Sequence, residues 1–502
     1  MKKFDVLIVG TGMGGLVAGN ILCREGYQVC MVEKNNQLGG CLQIYARDKV
    51  IFDSGVHYLG GLDKGQNLYQ IFKWLGLMEK LTLEKMDPDF DHILIGGDQK
   101  EYRIVQGYDA FEEQMRKDFP HEEQAIRRYI EKIKDVCERF PLYRLRTFGN
   151  PGEKEEVMGI SAKKFIETIT NNETLRAVLA GNNMLYAGSG EETPFYVHAL
   201  TVNSYMESAW RCPEGGHRIA KILADNIQSA GGTIIRNQEV KKLIVVDDRV
   251  TGALLEDGTT IQAVQFISNT SPVNTYRMTD SPLIRKITRE RLENMQGTVS
   301  SFILNIVFQK EHFPYVKHNY YYQAAGSVWV MDEYTENNWP LGYAVYLNPD
   351  LANPGFAAGM TIFAYMRYED VKTWSPSFNT VSKKENRGPD YEAFKKRKAE
   401  KLLDRVEEKF PALRKSIQTY YTATPLTYRD YIGNQDGNLY GARKKYDQSA
   451  ATLISPKTRI SNLFLTGHSL NLHGILGTAI SGLITSAALM GKDDFIEKIR
   501  NA

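Results

Sequence analysis

Two features near the start of the chain have the residue types and spacing to do chemistry. Gly10-x-Gly12-x-x-Gly15 stands where a short apolar run gives way to a helical one. In that context the pattern has a mechanism: a tight turn, close backbone approach to a pyrophosphate, and a helix N-terminus offering N–H groups and positive dipole. Glu33 follows 18 residues past Gly15. A carboxylate there accepts from both ribose hydroxyls and repels a 2′-phosphate, so the adenosine half of the ligand is unphosphorylated, as in FAD or NAD.

The elements that must position these groups form a βαβ unit. Phe4 to Val9 (FDVLIV) reads as a strand, Leu16 to Arg24 as a helix and Val29 to Glu33 as a second strand. Two amphipathic helices broken at Pro120 are expected between Asp109 and Phe140. The α/β character returns between Ile219 and Val264, with a helix from Ile219 to Ser229 and four short strands. Strands rich in Tyr and Trp are expected at Ser301–Phe308, Ser327–Met331, Gly342–Leu347 and Met360–Tyr365, and a charged helix at Tyr391–Phe410. Asn462 to Thr466 reads as a last strand, running into Gly467.

The chain has 502 residues, 42% hydrophobic and 24% charged, a composition that folds around a large core. With 62 Lys+Arg against 60 Asp+Glu, the net charge is +2, which gives no field to draw the chain to nucleic acid. The five cysteines are widely spaced without a C-x-x-C, and the nine histidines show no ligand spacing. Neither a disulfide framework nor a metal site is expected. The opening run Phe4–Val9 is too short for the core of a signal peptide, so the expected compartment is the cytoplasm. Ile460 to Gly491 carries no charged residue. Eight Ser, Thr, Asn or His between His468 and Gly491 mark it as a buried helix rather than a bilayer span. The run Lys395-Lys396-Arg397-Lys398 sits among five acids and reads as a solvated helix face.

Gly39-Gly40-Cys41 and Phe52-Asp53-Ser54-Gly55-Val56-His57-Tyr58-Leu59-Gly60 are followed by Pro213-Glu214-Gly215-Gly216 and Asn237-Gln238-Glu239-Val240. Ile267-Ser268-Asn269, Thr424-Pro425-Leu426-Thr427, Tyr440-Gly441 and Leu463-Phe464-Leu465-Thr466-Gly467 come next, in that order. These blocks resemble those of the phytoene desaturase, carotenoid isomerase and retinol saturase superfamily of FAD-dependent oxidoreductases, with the His-Tyr ending most like retinol saturase. The resemblance runs over essentially the whole chain. It implies an α/β fold in which an FAD-binding Rossmann-like domain is interleaved with an α+β substrate domain holding a mixed sheet and a helical lid. The segments implied are 1–85, 205–280 and 425–502 for the FAD domain, 86–204 for the helical lid, and 281–424 for the substrate sheet.

Carried over by position, Gly10, Gly12, Gly14 and Gly15 would hold the pyrophosphate. Glu33 and Lys34 would meet the adenosine ribose, and Gly39, Gly40 and Cys41 would admit the cofactor. Val240 and Asn269 would flank its adenosine half, and Gly467, Ile475 and Leu476 would meet the flavin ring. His473, His57 and Tyr440 are the candidate proton-handling groups, with a hydrogen-bonded structural role as the alternative for His57. The aromatic group Tyr320, Tyr321, Tyr322, Trp329, Tyr343 and Tyr346 reads either as tunnel lining or as core. The activity implied is saturation or desaturation of a carbon–carbon bond in an apolar conjugated lipid. The alternatives are a redox-neutral polyene isomerase, an amine-oxidase-like flavoenzyme, or a flavin-bearing lipid-binding protein. NAD(P)H enters as a candidate transient reductant, since no second dinucleotide fingerprint is present. Contact with a membrane, if any, would be peripheral, through an apolar entrance, and the oligomeric state stays open.

Overall fold

The structure, a computed structural model, describes residues 3–98, 100–147 and 152–502. The first sheet runs in the order Thr233–Ile235, Val29–Val32, Phe4–Val9, Thr260–Ser268, Arg249–Leu255, Val240–Val246, with Leu463–Leu465 also paired to Thr260–Ser268. Its first three strands, the far end of Thr260–Ser268 and Leu463–Leu465 are parallel. Arg249–Leu255 and Val240–Val246 extend it as an antiparallel ribbon. Phe4–Val9 and Val29–Val32 are almost wholly buried, as continuous apolar strands must be when helices cover both faces.

The register decides where the chemistry gathers. Val9 pairs with Val32 and with Ser268, and Ser268 pairs with Leu465. The carboxyl ends of four parallel strands therefore finish level, and Gly10, Glu33, Asn269 and Thr466 leave the sheet side by side. Parallel α/β sheets bind ligands at this edge. Helix Met13–Arg24 packs on helix Gly474–Met490 so closely that a Cβ on Gly482 would lie 2.9 Å from the Gly14 carbonyl oxygen.

The second sheet runs Ile417–Ala423, Ser300–Phe308, Ala357–Met366, Gly342–Pro349, Asn319–Gln323, Asp91–Ile95, Glu101–Ile104. It is antiparallel except where Asn319–Gln323 meets Asp91–Ile95. Ser300–Phe308 is buried at every position, and its two faces serve two cores. Phe302, Leu304 and Ile306 pack with Leu402, Leu403 and Val406 of helix Pro389–Glu407. Ile303, with Tyr321, Tyr346, Phe363 and Tyr365 from neighbouring strands, packs against the helices between Tyr108 and Glu207.

Two helices, Tyr108–Asp118 and Glu123–Glu138, are interrupted around Pro120, because proline lacks the N–H and its ring strikes the preceding turn. The expected strand at Ser327–Met331 is instead a series of turns after Gly326. Ser327 Oγ donates to Ala324 O at 2.7 Å and to Leu341 O at 3.1 Å, a local bonding pattern that competes with a ladder. The basic run on helix Pro389–Glu407 departs from a uniformly solvated face. Lys398 is fully buried, 2.7 Å from Glu336 and 4.5 Å from the Trp339 ring centre. Its long stem crosses apolar surface to reach a carboxylate, which offsets the cost of burying the charge. Among the described residues, no helix is long and apolar enough to cross a membrane. Helix Gly474–Met490 lies inside the fold, buried along most of its first 14 residues.

Candidate functional site

A cavity of about 1090 Å³ opens at the carboxyl edge of the parallel sheet and runs to the second sheet. That is above the roughly 300–1,000 Å³ of an ordinary small-molecule pocket, large enough for a dinucleotide and a second ligand. Gly10, Gly12, Glu33, Lys34, Gly39, Gly40, Cys41, Val240 and Asn269 line one end. His57, Tyr58, Tyr205, Tyr346, Tyr440, His473 and Ile475 line the other, and Gly467 lies on the wall as well. Gly14, Gly15 and Leu476 stand behind the lining. Gly14 and Gly15 seat the helix against Thr466, Gly467 and Asn269, and Leu476 packs into the core.

The glycine loop is built by close approach. A Cβ on Gly12 would lie 2.7 Å from Asn269 Nδ2, and one on Gly15 would lie 2.7 Å from Gly10 O. Helix Met13–Arg24 has no side-chain cap and no acid in its first turn, so its first N–H groups and its dipole are left for an anion. Glu33, 5% exposed, accepts from Thr11 N at 2.9 Å, Thr11 Oγ1 at 2.6 Å and Asn35 N at 2.9 Å. Thr11 Oγ1 in turn accepts from Gly39 N at 3.2 Å. One hydroxyl thus ties the glycine loop, the acid and the Gly39 turn together. At Gly39 and Gly40 the backbone takes φ of +114° and +58°, a region in which side chains are strained. Thr466 Oγ1 and Gln238 Oε1 are buried, lack a protein partner, and belong to residues on the cavity wall. Two unanswered oxygens, a free helix N-terminus and a carboxylate suit a polar dinucleotide.

At the far end, His57 stacks on Tyr346 with ring centres 4.2 Å apart, and burial pushes its pKa down to about 3. His473 Nε2 lies 3.0 Å from Leu185 O, and burial pushes its pKa down to about 4. Both imidazoles are neutral at pH 7, and His473 must carry its proton on Nε2 to donate to that carbonyl. Tyr440 packs on His473 at 4.4 Å and donates its hydroxyl to Met184 O at 2.9 Å. Helix Gly474–Met490 begins beside them, again without a side-chain cap or an acid in its first turn. Its positive end favours negative charge on whatever lies there. Burial raises the Cys41 thiol to about 11, so it stays protonated and unreactive.

Spacing in the sequence did not disclose Thr11 or the strap of residues 375–388. Phe378, Thr380, Ser382 and Lys383 of this strap line the cavity beside Lys34. It is clipped to helix Pro425–Ile432 at Asp430, which pairs with Arg387 and Arg429 and accepts from Asn379 N at 2.8 Å. Lys34 donates to Asp430 O at 3.0 Å, so the clip also touches the dinucleotide end. Removing the Arg387 clip by Arg387→Ala is expected to speed trypsin cleavage after Lys383 or Lys384 roughly tenfold. That corresponds to about 1.4 kcal/mol of easier local opening. An unchanged cleavage rate would show that the strap is held elsewhere. No residue pattern marks this contact in the sequence, because its partners lie 43 positions apart.

Residues 8–75 match the family described as NAD(P)-binding Rossmann-like domain. All-trans-retinol 13,14-reductase of Danio rerio is 26% identical, over 99% of this chain and 87% of that protein. Prolycopene isomerase 2 of an Oncidium hybrid cultivar is 24% identical, over 96% of this chain and 83% of that protein. An oxidoreductase from Methanosarcina mazei shares the fold, with a TM-score of 0.62 at 16% identity, over 97% of this chain and all of that one. With a level-ended parallel sheet, a glycine loop tied to Glu33 and similarity along its whole length to a retinol reductase and a prolycopene isomerase, the chain is an FAD-dependent oxidoreductase similar to members of the phytoene desaturase, carotenoid isomerase and retinol saturase superfamily.

Proposed function

We propose that the protein adds or removes two hydrogens at a carbon–carbon bond of an apolar conjugated lipid of retinoid, carotenoid or isoprenoid type. The observation that carries this reading is the single cavity. Its glycine-lined end suits FAD, and it continues into an aromatic end walled by Tyr205, Tyr346, Phe363 and Tyr440. The similarity to a retinol reductase along the whole chain supports the same reading. Bound flavin supplies or takes up the hydride. The chain's own residues do the rest. Gly10, Gly12, Gly14 and Gly15 would bring helix N–H groups to the pyrophosphate, with Glu33 and Lys34 at the ribose and Val240 and Asn269 flanking it. Gly39, Gly40 and Cys41 would pass the chain alongside, and Gly467, Ile475 and Leu476 would shape the ring end. His57, His473 and Tyr440 would hold the polyene in place, and the aromatic walls would exclude water from the reacting carbons.

NAD(P)H is the proposed transient reductant. The proposed location is the cytoplasm, with the lipid reached by peripheral contact at the inner face of a membrane. A redox-neutral polyene isomerase is the second reading, favoured by the similarity to a prolycopene isomerase. The test is to reduce the FAD-loaded protein without oxygen, add all-trans-retinol, and follow flavin reoxidation and product mass together. Saturation predicts reoxidation and a product heavier by two hydrogens. An isomer of unchanged mass would replace the first reading with the second. Untouched retinol would remove the retinoid from the substrate class.

A further inference from the structure

Behind the aromatic end of the cavity lies a hydrogen-bonded series of three tyrosines that ends on a buried carboxyl. Tyr346 and Tyr58 line the cavity, and Tyr321 lies buried between them. The Tyr346 and Tyr321 hydroxyls are 3.1 Å apart, and those of Tyr321 and Tyr58 are 2.8 Å apart. Tyr58 donates to Asp91 Oδ2 at 2.9 Å. Asp91 is fully buried, and its other oxygen accepts from Asn319 Nδ2 at 2.8 Å. A buried carboxyl joined to a cavity by three consecutive hydroxyls is an unusual thing to maintain, because each polar group must be satisfied away from water.

We propose that Asp91 stores a proton for the cavity and exchanges it with substrate through the hydroxyls of Tyr58, Tyr321 and Tyr346. This rests on the reading of the cavity as a site where a carbon–carbon double bond is saturated. Saturation needs a hydride and a proton. One carbon takes the hydride, two electrons supplied by reduced flavin. The other takes the Tyr346 hydroxyl proton. Tyr346 is reprotonated by Tyr321, Tyr321 by Tyr58 and Tyr58 by Asp91, which ends as a carboxylate. Desaturation runs the same shifts backwards. The other cavity groups are less suited to giving a proton. His57 and His473 are neutral, and the hydroxyl proton of Tyr440 is committed to Met184 O.

The surroundings of Asp91 keep the store half full near neutral pH. Burial pushes its pKa up to about 7, against the pull of bonds from Asn319, Tyr58 and Asn182 and of the Arg211 charge. Arg211, the positive group facing it, is turned to Asn319 Oδ1 at 2.6 Å and Leu347 O at 2.7 Å rather than to the carboxylate. Tyr205 and Tyr346 are the remaining titratable neighbours, and burial raises both.

The test has two arms. In flavin-free protein, infrared difference spectra across neutral pH should show a carboxylic-acid carbonyl band that fades as pH rises past about 7 and is missing in Asp91→Asn. Asp53 is also raised to about 7, so the difference between wild type and Asp91→Asn makes the assignment. In pre-reduced, FAD-loaded protein, reoxidation by all-trans-retinol should fall tenfold per pH unit above about 7. Asp91→Asn and Tyr58→Phe should slow it about 100-fold, the worth of a general acid, and remove that pH break. Asp91→Glu should restore part of the rate and the break. No band assignable to Asp91, or variants that keep the wild-type rate and pH profile, would overturn the relay. If retinol is left untouched, the retinoid leaves the substrate class, and the infrared arm still decides whether Asp91 holds the proton.

Discussion

Gly15→Val is expected to give a protein that carries no FAD and unfolds at a lower temperature than the wild type. A Cβ at this position would lie 2.7 Å from Gly10 O, 3.1 Å from Asn269 Nδ2 and 3.2 Å from Asn269 Cβ. The first of these atoms cannot yield cheaply. Gly10 is held by its N–H to Val32 O at 2.8 Å, and Asn269 by its N–H to Val9 O at 2.8 Å. Helix Met13–Arg24 must therefore move off the sheet, carrying its N-terminus away from the pyrophosphate. Overpacking of this kind costs about 1–3 kcal/mol, and the stabilisation contributed by bound cofactor is lost in addition. Gly355→Ala is the control, since a Cβ there meets nothing within 4 Å; its effect should stay within about 0.5 kcal/mol. Thermal unfolding with and without added FAD, together with the flavin content after purification, reads both effects. A Gly15→Val protein loaded with FAD in wild-type amount would show that the helix does not need this contact.

Glu33→Ala is expected to weaken FAD binding about a thousandfold. The carboxylate holds Thr11 N, Thr11 Oγ1 and Asn35 N, and removing it strands buried donors at roughly 1–3 kcal/mol each. It would also delete the charge-assisted bonds proposed for the ribose, each worth about 1.5–3 kcal/mol. A combined loss of about 4 kcal/mol is three decades in Kd. Fluorescence titration of the flavin-free protein with FAD measures it, and titration with FMN, which has no adenosine, separates the causes. FMN affinity should fall far less than FAD affinity. An equal loss for both would mean that Glu33 acts through the glycine loop alone.

The dinucleotide end was legible in the sequence because its determinants are local. A turn that admits only glycine, a helix start and an acid at a strand end lie within 33 residues, and backbone sterics alone require that order of types. The interleaving was legible too, since strand patterns near the start, middle and end of the chain carry the same apolar signature. The level ends of Val9, Ser268 and Leu465 were not, because register is settled by pairing between segments some 200 to 260 positions apart.

The aromatic residues show the division most clearly. Strand spacing placed Tyr343 and Tyr346 in a sheet and left tunnel or core open for the whole aromatic group, while the strand Asn319–Gln323 that carries Tyr320, Tyr321 and Tyr322 was not among those expected. In the fold, alternation along the pleat sends Tyr321 and Tyr346 toward the cavity side, and Tyr320 and Tyr343 into the core under helix Pro389–Glu407. Which face becomes which depends on the layer packed against it, a fact absent from the strand itself. Likewise, no spacing foretold that Asp91, Tyr58 and Tyr321 would share hydrogen bonds. The sequence by itself determined the nucleotide fold and its glycine and acid residues, where the constraint is the backbone of one short unit. Only the tertiary structure decided the Asp430 clip, the buried Lys398 and the tyrosine series behind the cavity. These depend on which distant side chains are driven together as apolar surface leaves water and buried polar groups must find partners.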